Sequence, residues 1–263
     1  MSQLIVKTMA EYMAEGKQPE ILFWVGSAGS YDDRAKKITK AFVKLLNKAH
    51  VEFGVLGTEE SNTGDVAKRA GNEFLFQMQA MTNIEILNAY EVKRIVTACP
   101  HSYNTLKNEY PSLGGNYQVQ HHTEYIQELM QSGRLKIESN SELHGKRITF
   151  HDPCYLGRAN EVYEVPRNLL KKLGVELVEM KRNRRTALCC GAGGAQMFKE
   201  PEKGDKDINV LRTEDALETQ PSIIATGCPY CNTMMTDGVK AKEKEGSIQV
   251  LDIAELIASA QGL

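Results

Sequence analysis

The chain has 263 residues, 41% of them hydrophobic and 25% charged, with a formal net charge of −2. This composition is typical of soluble globular proteins, and the length is sufficient for two domains. The near-neutral charge argues against a nucleic-acid partner, and no run of about 18 apolar residues could span a membrane. Because the N-terminal segment lacks the basic and long apolar stretches of a secretory signal, we expect a cytoplasmic protein, associated with a membrane only through a partner.

In the first half, apolar runs of strand length alternate with helical segments, the pattern of parallel α/β sheets. Strands are predicted over residues 20–26, 51–57 and 93–98. Helices are predicted from about residue 32 to 49 and within 65–90. The first half therefore has the elements of a small parallel sheet flanked by helices.

The second half repeats this alternation. Strands are predicted over residues 147–150, 175–180 and 222–226, with a helix over about 166–173. Residues 131–146 are polar and aperiodic, which is typical of a linker.

The fold class is therefore predicted to be α/β, with two pseudo-symmetric lobes. The lobes are predicted to cover residues 1–140 and 146–263. Each is expected to be a small parallel sheet flanked by helices.

A cysteine pattern supports duplication and distinguishes the two halves. In the second half it comprises Cys154, Cys189-Cys190-Gly191 and Cys228-Pro229-Tyr230-Cys231. Offsets of 127 and 129 residues place the corresponding positions of the first half at Ser27, Asn62-Thr63-Gly64 and Cys99-Pro100-His101-Ser102. The pattern is thus intact in the second half and degenerate in the first, where Cys99 is interpreted as a buried small residue.

The five cysteines of the second half all follow predicted strands. The carboxyl ends of parallel strands meet at one crevice, so these thiols are expected to converge. Gly191, Gly193 and Gly194 would let the backbone pass close to a bulky group. Six cysteines in a cytoplasmic chain favour metal or redox chemistry over disulfides, and thiolates are the ligands of iron–sulfur clusters. Five thiols exceed the four of a cubane cluster or a structural zinc site.

The chain resembles the cysteine-rich CCG-domain proteins, which include the B-type component of heterodisulfide reductase, lactate utilisation protein A and iron–sulfur subunits of quinone-linked dehydrogenases. Three motifs carry the resemblance: His151-Asp152-Pro153-Cys154-Tyr155-Leu156-Gly157-Arg158, Cys189-Cys190-Gly191-Ala192-Gly193-Gly194 and Cys228-Pro229-Tyr230-Cys231. The 34 and 37 residues between the motif cysteines fall within the family spacing. The first copy departs from the family at Ser27, Asn62, Thr63 and Ser102.

The resemblance implies one non-cubane [4Fe-4S] cluster, with metal ligands Cys154, Cys189, Cys190, Cys228 and Cys231. It implies an electron-transfer subunit of an oxidoreductase complex that is not active alone and has no catalytic residue of its own. The expected partners are a ferredoxin-like or membrane-anchored iron–sulfur subunit and a flavin- or quinone-linked dehydrogenase.

Two other functions fit parts of the sequence. Cys228 and Cys231 could form the dithiol of a thiol–disulfide reductase, as in a heterodisulfide-type subunit, although three cysteines would then be unexplained. Four of the five thiols could hold structural zinc, although zinc sites usually pair two short Cys-x-x-Cys segments and this chain has one.

The roles of several polar residues are left open by the sequence. His151-Asp152 is either a proton relay or a cap and turn before Pro153. Arg158 and Arg212 either balance cluster charge or pair with carboxylates. A first-lobe metal site is the less favoured interpretation of a set of acidic and histidine residues: Glu59, Glu60, Asp65, His101, His121 and His122.

Overall fold

The computed structural model describes residues 4–137, 142–200 and 203–263. The chain divides into two compact units, Met1–Lys136 and Ile137–Leu263. None of the helices within the described ranges combines the length and the apolar character that crossing a bilayer requires.

The first unit is built on a five-stranded sheet. Its strands are β1 (Lys7–Thr8), β2 (Ile21–Trp24), β3 (Phe53–Val55), β4 (Arg94–Thr97) and β5 (Gln118–His121). They are arranged in the order β1-β3-β2-β4-β5, and every pair is parallel. β2 and β4 are almost wholly buried, which explains their continuous apolar runs.

Helices cover this sheet and complete its core. They are α1 (Met9–Ala14), α2 (Gly26–Tyr31), α3 (Ala35–Lys48), α4 (Asp65–Arg69), α5 (Glu73–Ala89), α6 (Pro100–Asn104) and α7 (His122–Gln131). The amphipathic helix α3 buries its apolar face, where Phe42 meets Phe23 of β2 edge to face at 5.0 Å between ring centroids.

The second unit has a four-stranded parallel sheet in the order β7-β6-β8-β9. Its strands are β6 (Arg147–Phe150), β7 (Glu176–Leu177), β8 (Ile223–Thr226) and β9 (Gln249–Asp252). Its helices are α8 (Glu164–Lys172), α9 (Ile208–Leu217), α10 (Pro229–Ala241) and α11 (Ile253–Ala260).

Strand register shows that the two units share one fold. Without β1, the first sheet has the same strand order as the second. Leu22 of β2 pairs with Ile95 of β4, and Thr149 of β6 pairs with Ile224 of β8. These pairs are separated by the 127- and 129-residue offsets of the cysteine pattern. The predicted α/β class with two parallel sheets flanked by helices is confirmed.

Some predicted element boundaries were wrong. The helix predicted from residue 32 begins at Ala35, because the Asp32 carboxylate accepts the Ala35 N–H at 2.7 Å and α2 forms separately before it. The strand predicted over 175–180 is reduced to Glu176–Leu177 at the sheet edge. Strand β1 was not predicted, and residues 138–141 of the predicted linker lie outside the described ranges.

Candidate metal centre

Three segments that follow strands of the second unit supply its cysteines. Cys154 lies in the turns after β6, and Cys189 and Cys190 lie in the irregular segment after β7. Cys228 follows β8 as the N-cap of α10, with Pro229 in the first helical turn. Its Sγ accepts the backbone N–H of Cys231 at 3.5 Å. A proline is favoured at this position because the first helical N–H groups have no intrahelical partner.

The fold brings all five of these thiols together. Cys190, Cys228 and Cys231 form a buried cluster with Ala192, and Cys189 packs against it. Cys154 joins the group through a hydrogen bond to the Cys189 sulfur. None of the chain's six cysteines forms a disulfide. The group is therefore a set of neighbouring thiols drawn from three separate strand ends.

Mutual contact sets the proton affinities of these thiols. Accepting hydrogen bonds from Cys154 and Cys190 lowers the pKa of Cys189. Donating to Cys189 raises the pKa of Cys154 and of Cys190. Donation to Cys190 and Cys228, together with burial, raises the pKa of Cys231. Several adjacent thiolates therefore require a compensating positive charge, which a bound metal centre supplies as the protons leave.

The glycine segment after Cys190 has the shape that a bulky group needs. Gly191 has φ +92°, which favours glycine, and its N–H donates to Cys189 Sγ at 3.3 Å. A Cβ added at Gly193 or Gly194 would meet no heavy atom of the described residues within 4 Å. The backbone is therefore held against the Cys189 sulfur at Gly191. At Gly193 and Gly194 it is bordered by open space.

An open cavity adjoins the cysteine group. It has a volume of about 560 Å³ and is bordered by Gly191 and by Met197 and Met234, which pack against the cysteines. Lys199, Lys203 and Lys206 line it together with Asp207 and Asp237. The cavity is thus bordered by the methionine side chains that pack against the thiols and by charged groups of both signs.

Buried ion pairs fix the segment that carries Cys154. Asp152 accepts two hydrogen bonds from the fully buried Arg167, at 2.7 and 2.8 Å, and a third from the Arg184 N–H at 2.8 Å. Arg167 also binds Glu179 at 2.6 and 2.9 Å. Asp152 therefore anchors the turn before Pro153. Of the two roles left open by the sequence, a proton relay or a cap and turn, this is the second.

The two arginines whose roles were left open make different contacts. Arg158 donates to the Ala187 carbonyl, next to the cysteine pair. Arg212 is fully buried and donates to Asp215 Oδ2 at 3.2 Å and to His151 Nδ1 at 3.0 Å. Burial, with the charge of Arg212, lowers the pKa of His151 to about 3. No local pattern indicates the His151–Arg212 contact, because it joins residues 61 positions apart.

The corresponding positions of the first unit are joined by hydrogen bonds. Asn62 Oδ1 accepts the Gly64 N–H at 2.8 Å, and Asn62 Nδ2 donates to Ser27 Oγ at 3.2 Å. Ser102 Oγ lies 3.8 Å from the position of a Cβ on Gly26. Cys99 is buried and is the N-cap of α6, as Cys228 is of α10. These oxygen and amide groups are not the thiolate set of an iron–sulfur cluster.

The other first-unit metal candidates do not form a ligand group among the described residues. Among the described residues, the ligand atoms that lie close enough to share a metal ion belong to the second unit. They are those of His151, Cys190 and Cys231, which lie within 4.8 Å of one another. Asp65 instead binds His101 at 2.9 Å, and Glu59 accepts the Tyr90 hydroxyl at 2.6 Å. His121 and His122 contact each other at 3.2 Å.

Comparison with known families matches both units. The family model of the cysteine-rich domain, CCG, matches residues 21–107 and 148–236. The chain belongs to the CCG cysteine-rich domain family. The resemblance inferred from the motifs is confirmed at this level, and the degenerate first copy lies within the first match.

Several curated proteins are similar to this CCG-domain chain along almost its whole length. A Bacillus subtilis (strain 168) protein named probable iron-sulfur-binding oxidoreductase FadF is 53% identical over 97% of the chain. The EtfAB:quinone oxidoreductase of Syntrophomonas wolfei is 47% identical over 97%. One component of the dihydromethanophenazine:CoB--CoM heterodisulfide reductase of Methanosarcina barkeri is 34% identical over 93%.

The chain is much shorter than these relatives. It spans 36% of the length of the B. subtilis and S. wolfei proteins and 59% of the M. barkeri protein. The similarity therefore concerns one region of each relative.

Proposed function

We propose that this chain is an iron–sulfur electron-transfer component of an oxidoreductase, with one non-cubane [4Fe-4S] cluster in its second unit. The proposed ligands are Cys154, Cys189, Cys190, Cys228 and Cys231. The observation that carries the proposal is the convergence of five thiols, without a disulfide, from three strand-end segments. It is supported by two relatives, one named as an iron–sulfur-binding oxidoreductase and the other as a quinone oxidoreductase.

The bound cluster would supply one-electron chemistry, with a potential that depends on burial and on hydrogen bonds to sulfur. The five cysteines would bind it as thiolates and release their protons to solvent. The Gly191 amide would hold the Cys189 sulfur in place, and Gly193 and Gly194 would leave room for the group. Met197 and Met234 would limit the access of water to the thiols.

One cluster, rather than two, is proposed because of the first unit. Four of its five positions equivalent to ligands hold Ser27, Asn62, Thr63 and Ser102 instead of cysteine, and Ser27 and Asn62 are hydrogen bonded to each other. Splitting a disulfide with two facing clusters is therefore not proposed. A single-electron relay between partners requires one site, and the second unit offers it.

The proposed partners follow from the lack of a second electron carrier in the sequence. Electrons would come from, or pass to, a ferredoxin-like or membrane-anchored iron–sulfur protein and a flavin- or quinone-linked dehydrogenase. These carriers belong either to other regions of the same protein or to separate chains. We propose a cytoplasmic location, with any membrane association made through such a partner.

A thiol–disulfide reductase would need an accessible nucleophilic thiol in the Cys228–Cys231 pair. Cys228 and Cys231 are 1% and 3% exposed, and the pKa of Cys231 is raised. A structural zinc site would use four thiols and leave the fifth without a role. The geometry favours the iron–sulfur proposal over both.

The proposal is tested by iron, zinc and acid-labile sulfide contents and EPR spectra of protein purified without oxygen. We expect about four irons and four sulfides per chain. Cys190→Ser should lose most of the iron or change the EPR signal, whereas the matched variant Cys99→Ser should keep both. Zinc in place of iron, or equal effects of the two substitutions, would contradict the proposal.

A further inference from the structure

His151 lies beside the proposed ligands and is not one of them. It directly follows β6, and its side chain is fully buried. One of its ring nitrogens, Cys190 Sγ and Cys231 Sγ all lie within 4.8 Å of one another. The imidazole is therefore close enough to the sulfurs either to bind an iron that they hold or to donate a hydrogen bond to a sulfur.

The contact with Arg212 decides which ring nitrogen carries the proton. Arg212 Nε lies 3.0 Å from His151 Nδ1. A guanidinium has only donors, so Nδ1 must accept, and the proton of a neutral imidazole is then on Nε2. Among the described residues, His151 Nε2 has no hydrogen-bond partner. A buried N–H donor without a partner is costly, and such a group calls for a partner outside the protein, such as a water, an ion or a redox centre.

Arg212 is itself fixed in this orientation. Its Nη1 donates to the Arg182 carbonyl at 2.7 Å and to Asp215 Oδ2 at 3.2 Å. Asp215 also binds the Arg182 guanidinium at 2.7 and 2.8 Å. The side chain that selects the His151 tautomer is therefore held by two further residues.

The first unit provides an internal comparison. The strand register places Trp24 at the position equivalent to His151, since β2 and β6 are related by 127 residues. Both side chains are fully buried. The unit with the thiols has an imidazole at the strand end, and the unit without them has an indole.

We infer that His151 is a positioning residue that donates an Nε2–H hydrogen bond to a sulfur of the cysteine-bound cluster and is not a sixth iron ligand. This inference rests on the proposed function. Ligation of iron would need a free lone pair on Nε2. Because Arg212 donates to Nδ1, the ring proton occupies Nε2 instead. A hydrogen bond to sulfur stabilises the reduced, more negative state more than the oxidised one, so His151 raises the reduction potential.

The test compares His151→Leu and His151→Gln with the wild type, each purified without oxygen and loaded with its cluster. Leu removes the donor, whereas Gln keeps an amide N–H and an oxygen that can accept from Arg212. Potentiometric titration followed by EPR should show a more negative potential for His151→Leu and a potential near the wild type for His151→Gln. His144→Leu, at an exposed histidine of the same unit, should leave the potential unchanged.

A second measurement does not depend on the folding of the variants. Pulsed EPR of the wild type should show a weak ¹⁴N coupling and an exchangeable proton near the cluster. A strong ¹⁴N coupling would show ligation and overturn the inference, as would an unchanged potential in His151→Leu that retains its iron. Wild-type protein without iron and sulfide would overturn the proposed function as well, so the two failures are distinguishable.

Discussion

The two units have similar backbone conformations at their strand ends but different side chains there. In the first unit the Gly64 N–H donates to Asn62 Oδ1 at 2.8 Å, and in the second the Gly191 N–H donates to Cys189 Sγ at 3.3 Å. Gly64 and Gly191 have nearly equal φ angles, +87° and +92°. A hydrogen bond from a backbone N–H to an amide oxygen therefore closes this loop in the first unit, where the second unit uses a thiol sulfur.

The segment after the first central strand is fixed differently in the two units. In the second, Asp152 is held by the buried Arg167. In the first, the carboxylate of Glu60 accepts the N–H groups of Val25 and Gly26 at 2.9 and 2.5 Å. The two units therefore share the sheet, whereas each has its own polar contacts in the loops.

The largest expected effect comes from restoring the thiols of the first unit. Ser27→Cys, Asn62→Cys, Thr63→Cys and Ser102→Cys, together with the existing Cys99, recreate the five positions. Since the backbone is shared, the iron content should rise from about four to about eight atoms per chain, measured on anaerobic protein.

Alanine at the same four positions is the control and should leave the iron content unchanged. A folded four-cysteine variant that gains no iron would show that the shared backbone is insufficient without second-unit groups such as His151 and Arg212.

Breaking the buried pair of the second unit should have the next largest effect. Arg167→Met leaves the Asp152 carboxylate buried and unpaired, and should lower the free energy of unfolding by about 3–5 kcal/mol. Lys36→Met removes the exposed pair with Asp33 and should cost less than about 1 kcal/mol. Urea unfolding, with all variants in the same metal state, measures both, and equal costs would contradict the assignment of Arg167.

Glu60 should make the stability of the first unit depend on pH. Burial raises its pKa from 4.5 to about 7, against the opposing effect of its two backbone N–H partners. The folded state then binds a proton more tightly than the unfolded state between these values. The stabilising contribution is complete below pH 4.5 and is lost as the pH rises through 7.

Glu60→Gln removes this titration. The stability of the wild type relative to the variant should therefore fall by about 3 kcal/mol between pH 4.5 and 7.5, measured by urea unfolding at both pH values. A difference that stays constant with pH would contradict the raised pKa.

The smallest effect is expected at Asn62. Asn62→Ala removes the acceptor of the Gly64 N–H and the donor to Ser27, and should cost about 1 kcal/mol. Asn116→Ala, at an exposed position with a long 3.5 Å contact, is the control and should cost almost nothing. Equal thermal unfolding midpoints for the two variants would argue against Asn62 as the closing contact of the loop.

Much of this arrangement was predictable from the sequence because its signals are local. Buried parallel strands such as β4 and β8 are continuous apolar runs, and the Cys-Pro segments at Cys99 and Cys228 mark the helix starts that follow. The short edge strands β1 and β7 were missed or overextended, since two residues give no usable periodicity. The partners of His151 and Arg167 were not predictable, because pairing of buried charges depends on tertiary packing.

The most direct test of the account is an anaerobic crystal structure with anomalous diffraction collected on both sides of the iron edge and of the zinc edge. We predict one iron peak, surrounded by the sulfurs of Cys154, Cys189, Cys190, Cys228 and Cys231, and no iron at Ser27, Asn62 and Cys99. Iron in the first unit, or a zinc edge signal at the five cysteines, would contradict it.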